Sequence, residues 1–340
     1  MKRRPYLLTH KRFRDVPNRL KDAVAELIGV AAEDVILGNS ATYGIHLLAN
    51  GLPLEPGDEV LVMRNDFPTD ILPWLGLKKR GITVKQLPSK GPVIIPAELE
   101  TAVTPRTKVV CLSHVHTFSG HVLDAEAVSR ICRKRGICFL LNLSQSAGNR
   151  AIHVPDLGAD AVTCAAFKWL CGPYGTGFCW IKPEIRETLE YNQNYWINVM
   201  SEDELKNAGD LDLTADKSAR RWDVFGTANF FNFYPLTVSI RYLLSIGIDR
   251  IREHNDRLQE MFLSGLDRKT WDLISPEAAG GRSALICFSH KNPAENERVF
   301  RELVTRGIYP ALWKGILRIS PHVFNTEGDI RRLLDELGAM

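Results

Sequence analysis

The sequence predicts an α/β protein: a large, mostly parallel sheet with helices on both faces, followed by a smaller α+β domain at the C-terminus. Two observations carry that prediction. Short apolar runs alternate with helix-length amphipathic segments through most of the chain, the pattern of strands joined by helical crossovers. After Asp267 the order changes to strand, helix, two strands and helix, which marks a separate unit. The 340 residues, 45% hydrophobic and 24% charged, suffice for one large core and a second, smaller one.

The predicted strands of the large sheet are VILG (35–38), EVLVM (59–63), TVKQLP (83–88), VVCLS (109–113), CFLLNLS (138–144), DAVTCAAF (160–167) and GFCWIK (177–182). Between them, helices are expected at 17–28, 70–80, 124–135 and 183–191. The polar stretch 192–220 breaks the alternation and reads as a mobile segment over a cleft. A long helical region follows at 230–266. Beyond it come strand ALICFSH (284–290), a helix at 294–306, strands IYPALW (308–313) and ILRIS (316–320), and a helix at 327–337. The expected division is a large domain over 16–250, with 1–15 and 251–340 forming the small domain.

Charge and cysteine content narrow the class. The formal net charge of +3 gives no overall basic field that would favour nucleic acid. A local basic stretch, MKRRPYLLTHKRFR, reads as a solvated helix face or a partner surface, and it lacks the apolar core of a secretory signal. The uncharged, aromatic-rich run VFGTANFFNFYPLTVSI (224–240) contains Pro235 and falls short of the roughly 20 apolar residues of a membrane span. Seven cysteines, an odd number with no CxxC pair, mostly lie in apolar runs. They read as reduced, buried thiols of a soluble cytoplasmic protein, and no metal site is expected.

Four local patterns carry candidate chemistry, each with a plain structural alternative. Lys168 lies between Phe167 and Trp169, ahead of the glycine-rich turn GPYGTGF. An apolar pocket lowers a lysine pKa and frees the amine for Schiff-base chemistry, although a strand-end lysine packing its stem on the two aromatic rings explains the same run. GNSATYGIHLL (38–48) follows a strand and opens a helix, a place for a phosphate or simply for a capping Ser40 or Thr42. His114 and His116 end the strand VVCLS, where side chains of parallel strands project into the α/β ligand crevice, although a histidine merely satisfied at a strand end is the commoner finding. Asn142 and Gln145 follow the next strand in the same way, and a polar turn accounts for them equally well.

Taken in order, these pieces resemble the class V aminotransferase family of pyridoxal-phosphate enzymes, which includes cysteine desulfurases, isopenicillin-N epimerase-like proteins and, more distantly, kynureninases. The resemblance runs from about residue 17 to 337. It implies the fold type I architecture of that family. Ser40-Ala41-Thr42-Tyr43-Gly44-Ile45-His46 looks like the family's phosphate loop, so Ser40, Ala41 and Thr42 should hold the phosphate. Ser113-His114-Val115 matches the family's SHV motif, which implies that His114 stacks on the pyridine ring. Asn142-Leu143-Ser144-Gln145 stands at the D-x-x-Q turn, placing Asn142 at the ring nitrogen and Gln145 at the phenolic oxygen. Phe167-Lys168-Trp169-Leu170-Cys171-Gly172-Pro173 corresponds to the HKWLxGP run and makes Lys168 the Schiff-base lysine. Gly226-Thr227 looks like the motif that reaches the partner subunit's phosphate, implying a homodimer with shared sites. LRISPHVFNTEGDI resembles the segment whose arginine, here Arg318, clamps a substrate carboxylate. Phe225, Phe230, Phe231 and Phe233 read as core or interface packing.

Four departures qualify the likeness. Asn142 stands where relatives usually carry an aspartate that keeps the ring nitrogen protonated. Ala165 and Phe167 replace a hydroxyl and a histidine of the phosphate grip, which should reduce cofactor affinity. No cysteine follows Cys287, which lies in a predicted strand, so a persulfide-forming desulfurase is rejected. The N-terminal stretch is short, so either a compact variant or closure of the cleft by another element is expected. The resemblance implies a pyridoxal 5'-phosphate enzyme that transforms an amino acid or amine, with Lys168 and His114 catalytic, as an aminotransferase or a β-elimination (C–S) lyase. An epimerase of the same family, or an impaired binding or scaffold protein, is the alternative.

Overall fold

Strands β1 (Val35–Gly38), β2 (Glu59–Met63), β3 (Thr83–Leu87), β4 (Thr107–Ser113), β5 (Cys138–Asn142), β6 (Ala161–Ala165) and β7 (Gly177–Ile181) form one sheet in the order β1-β7-β6-β5-β4-β2-β3. This is a computed structural model, and it describes residues 4–7, 9–200, 202–206, 218–226 and 229–340. Neighbours from β3 to β6 pair in parallel, and β7 runs antiparallel to both β6 and β1. The mostly parallel sheet expected from the apolar runs is therefore present. Its central strands are apolar on both faces because both faces are covered. Alternate residues Leu61, Val110, Phe139 and Val162 share one core with Leu20 and Val24 of helix α1 (His10–Ile28). Val60, Val109, Leu140 and Ala161 share the other with Ile45 and Leu48 of helix α2 (Ala41–Gly51).

Strands β8 (Trp271–Leu273), β9 (Ile286–His290), β10 (Ala311–Trp313) and β11 (Ile316–Ile319) make a second, antiparallel sheet in the order β10-β11-β9-β8. Its apolar face meets Phe262, Val299, Leu303 and Leu333 from the helices Ile248–Gly265, Asn296–Thr305 and Glu327–Gly338. β8 is a three-residue strand that no apolar run announced.

Several helices depart from expectation for identifiable reasons. α1 starts at His10 and runs through Pro17; Phe13 meets Phe230 with ring centroids 5.5 Å apart and Arg14 donates to the Met200 carbonyl. The expected helix at 70–80 is broken into Pro68–Asp70, Leu72–Leu75 and Gly76–Arg80, with Pro73 and Gly76 as poor helix formers inside it. The helix expected at 183–191 ends at Arg186, because the Glu190 N–H goes to the Gly51 carbonyl instead. The region 230–266 is two helices, Phe230–Ile246 and Ile248–Gly265, divided at Gly247 with φ 94°. Of the polar stretch 192–220, residues 201 and 207–217 lie outside the described residues; the described parts include the short helices Trp196–Val199 and Glu202–Lys206. No helix among the described residues is long and apolar enough to cross a membrane.

Candidate active site

The candidate residues gather along one edge of the large sheet because its strand register puts them there. Ser113, Asn142 and Thr163 are register partners across β4, β5 and β6, and Ala165, Gly177 and Gly38 across β6, β7 and β1. This is the carboxyl edge of the parallel strands, where α/β proteins bind ligands. α2 begins at the same edge, its first turn tied down by the Thr163 hydroxyl donating to the Ala41 carbonyl at 2.6 Å. Ser40 caps the helix by accepting from the Tyr43 N–H, and the Thr42 hydroxyl bonds that of Thr69. Gly177 permits this approach. A Cβ there would stand 2.6 Å from the Cys164 carbonyl oxygen and 2.8 Å from the Ser40 carbonyl carbon.

From β6 the chain turns into the loop that carries Lys168. Ala166 donates to Thr176, Gly172 to Ala166 and Cys171 to Lys168 through their backbones. Cys171 has φ 51° and is exposed, which corrects the expectation of a buried thiol at that position. The Lys168 ammonium lies 5.1 Å from the centroid of Phe67 and 6.0 Å from that of Phe167. Burial holds the Lys168 pKa below its ordinary value, with nearby Arg318 adding to the effect and Cys164 and Asp70 opposing it. The Trp169 indole donates to Gln145 Oε1 at 3.0 Å, and Gln145 Nε2 reaches the Thr117 hydroxyl at 3.3 Å.

A cavity of about 720 Å³ opens on these groups, its wall including Phe67, Gln145, Lys168, Trp169, Arg318 and His322. Arg318 lies on β11 opposite Cys287 of β9, donates Nη1 to the Thr117 carbonyl at 3.1 Å and leaves a buried Nε without a hydrogen bond. Cys287 itself is fully buried within its strand. The small sheet thus brings a guanidinium to the cavity that also holds the Lys168 amine.

Behind the cavity wall, His114 and Asn142 are buried at the ends of β4 and β5. His114 Nδ1 pairs with the Ser146 hydroxyl at 3.0 Å, and burial, aided by Arg150, pushes its pKa down to about 3. The imidazole is therefore neutral at ordinary pH. His116 is held by the Ser119 hydroxyl at 2.7 Å and the Asn65 carbonyl at 3.1 Å, which explains it structurally. Asn142 donates Nδ2 to both carboxylate oxygens of Asp70, at 2.9 and 3.2 Å, and its Oδ1 accepts from the Ser144 N–H at 3.0 Å. Asp70 is 0% exposed and also accepts from the Ser113 hydroxyl at 3.0 Å. Asp66, close by, accepts from the Ser113 N–H at 2.9 Å. Sequence reasoning missed Asp66, Phe67 and Asp70; the available signal was a pair of acids within NDFPTDILPW, directly after an apolar strand. Thr227 lies outside the described residues.

The donor set fits pyridoxal phosphate on its own chemistry. It offers a desolvated amine for an aldehyde, a neutral imidazole and a buried amide at adjacent strand ends, a helix N-terminus for a phosphate, and an unsatisfied guanidinium nitrogen. The profile of the family described as aminotransferase class-V matches residues 5–333. The chain belongs to the aminotransferase class-V family.

Its relatives within that family differ in activity. A probable cysteine desulfurase of Methanothermobacter thermautotrophicus is 28% identical over 71% of this chain and 58% of its own length, so the match spans less than two thirds of that protein. Isopenicillin N epimerase of Streptomyces clavuligerus is 27% identical over 96% of this chain and 86% of its own. Among solved structures, the cystine C–S lyase C-DES in complex with cysteine persulfide superimposes with a TM-score of 0.86 at 21% identity, covering 96% of this chain and 87% of that one. That likeness shows the fold, type I of the pyridoxal-phosphate enzymes. Class-V aminotransferases use pyridoxal 5'-phosphate, and this member is a pyridoxal-phosphate-dependent enzyme.

Proposed function

We propose that this class-V aminotransferase transforms an amino acid or amine at a site built from Lys168, His114, Asn142, Gln145 and Arg318, with Ser40, Ala41, Thr42 and Thr227 holding the cofactor phosphate. The observation that carries the proposal is the placement of the Lys168 amine and the Arg318 guanidinium on one cavity wall. Bound pyridoxal phosphate supplies the aldehyde carbon and the electron-withdrawing ring that acidifies the substrate Cα–H. Lys168, its proton affinity reduced by burial, takes and returns the proton at Cα. Arg318 would hold the substrate carboxylate in a bidentate pair, and His114, neutral at ordinary pH, would lie beside the ring without adding a competing charge.

Aminotransferase or β-elimination (C–S) lyase chemistry is the reading favoured here, on kinship with the aminotransferases and with a C–S lyase. A persulfide-carrying desulfurase is disfavoured because Cys287, the last cysteine in the chain, is sealed within β9. Epimerisation is the second reading, supported by the epimerase relative that aligns over 96% of the chain. The enzyme is proposed to work as a homodimer, with the division into 16–250 and 1–15 plus 251–340, in a reducing cytoplasm that suits its seven free thiols.

Reconstitution tests the reading. Protein incubated with pyridoxal phosphate and desalted turns yellow, and Lys168→Ala does not; a colourless wild type that ignores the cofactor leaves only the scaffold alternative. An amino-acid screen then separates the reactions. Keto acid formed only with an amino acceptor marks transamination, ammonia or sulfide marks the lyase, and inverted product marks the epimerase.

A further inference from the structure

Asn142 occupies the strand end where the family resemblance implies an aspartate, yet the structure does not leave that place without an acid. The Asn142 Nδ2 is turned onto Asp70 at 2.9 and 3.2 Å, and Asp70 is completely buried. A carboxylate can only accept, so it dictates the orientation of the amide. The nitrogen faces Asp70, and the oxygen, fixed by the Ser144 N–H at 3.0 Å, keeps a second lone pair for another donor. The amide is thereby set to receive an N–H rather than to give one.

We propose that Asp70 is the acid of the cofactor-ring site, acting through Asn142: its carboxylate polarises the amide, whose oxygen then binds the protonated ring nitrogen. Asp70 is a positioning residue, since it reaches the ring only through Asn142. The ring nitrogen takes its proton from solvent and Asp70 keeps its charge, so no proton crosses the amide. Burial and the neighbouring Asp66 push the Asp70 pKa well above the ordinary carboxylate range, while donation from Asn142 and Ser113 and the nearby Lys168 oppose that shift, so a cation at the ring is what would complete the case for the charged form. A carboxylate so placed gains from a cation one amide away, and the cation gains equally from the carboxylate.

The proposal rests on the pyridoxal-phosphate reading, and its test distinguishes the two. Wild-type protein and variants are titrated with pyridoxal phosphate and with the analogue whose ring nitrogen is replaced by C–H, following tryptophan fluorescence and the visible spectrum. Wild type is expected to bind the natural cofactor about tenfold or more tightly than the analogue, the scale of a charge-assisted hydrogen bond. In Asp70→Asn that ratio falls to about twofold or less while analogue binding is unchanged, and the exchange Asp70→Asn with Asn142→Asp restores it. Circular dichroism and thermal melts establish that each variant folds. If Asp70→Asn does not fold, the exchange variant decides: a ratio like that of wild type supports the proposal and a ratio near one overturns it. Equal binding of both ligands by wild type, or an unchanged ratio in folded Asp70→Asn, overturns it alone. Binding of neither ligand by wild type overturns the cofactor reading as well.

Discussion

Lys168 sits on a loop fastened at both ends, by the Ala166–Thr176 and Gly172–Ala166 backbone bonds and by the Ser239 hydroxyl donating to the Leu170 carbonyl at 2.6 Å. The fastening places the half-buried amine among Phe67, Phe167 and Arg318 at the cavity wall, so the chain bears the cost of a partly desolvated cation. That cost has a definite pH dependence in the cofactor-free protein. At low pH the amine is charged in both folded and unfolded chains, and the folded chain carries the full penalty. As pH rises through the lowered folded value the folded chain releases its proton first, while the unfolded chain holds its own up to the ordinary 10.5. The unfolded state then binds more protons, and stability rises with pH. Lys168→Met is therefore expected to be more stable than wild type at neutral pH, by a margin that shrinks as pH approaches 10.5. Chemical denaturation at a series of pH values measures it, and a margin independent of pH would contradict the burial of the amine.

At the scale of elements, the approach of α2 to β7 depends on a missing side chain. Gly177→Ala brings a Cβ against two backbone groups, the Cys164 carbonyl and Ser40, neither of which can rotate away. Destabilisation of about 1–3 kcal/mol is expected, with the displaced first turn of α2 lowering affinity for pyridoxal phosphate. Gly76→Ala is the control, because nothing stands within 4 Å of its Cβ and its φ of −59° suits alanine. It should be neutral or stabilising by about 0.5 kcal/mol. Urea denaturation with cofactor titration distinguishes the two, and a silent Gly177→Ala would show that the helix start is not held against β7. The strands around this contact were legible in the sequence because burial on both faces leaves unbroken apolar runs. So were Lys168, Gln145 and Arg318, through their motifs, and the structure brings them to one cavity. Asp70 was not legible: its partners Ser113 and Asn142 lie 43 and 72 positions away, and no local pattern encodes such a contact. The same holds for helix limits, since α1 gains turns from a contact with Phe230 and the 183–191 segment loses them to Gly51.

For the molecule as a whole, the helix Phe230–Ile246 shows that one chain does not cover all its apolar surface. Phe233, Leu236, Ile240 and Leu243 face the core, while Tyr234, Val238 and Tyr242, spaced four residues apart on the other side, are 52%, 53% and 62% exposed. A helix apolar on both sides needs a second neighbour. Phe225 and Phe231 are also exposed, at 58% and 73%. A second copy of the chain is the occupant that fits the proposed homodimer, in which the resemblance has each copy's Gly226-Thr227 motif reach the other's phosphate. Tyr234→Glu combined with Tyr242→Glu places charges in that face without touching the core side of the helix. The double variant is expected to raise the dimer dissociation constant by about a hundredfold or more, as removal of two aromatic anchors does at interfaces, while each subunit keeps its helical content. Sedimentation velocity across a concentration series reads the change. Affinity for pyridoxal phosphate should fall in parallel, since the separated subunits lose the residue each receives from the other. A variant that sediments as a dimer at every concentration rejects this face, and one that is monomeric but binds cofactor as wild type does rejects the shared site.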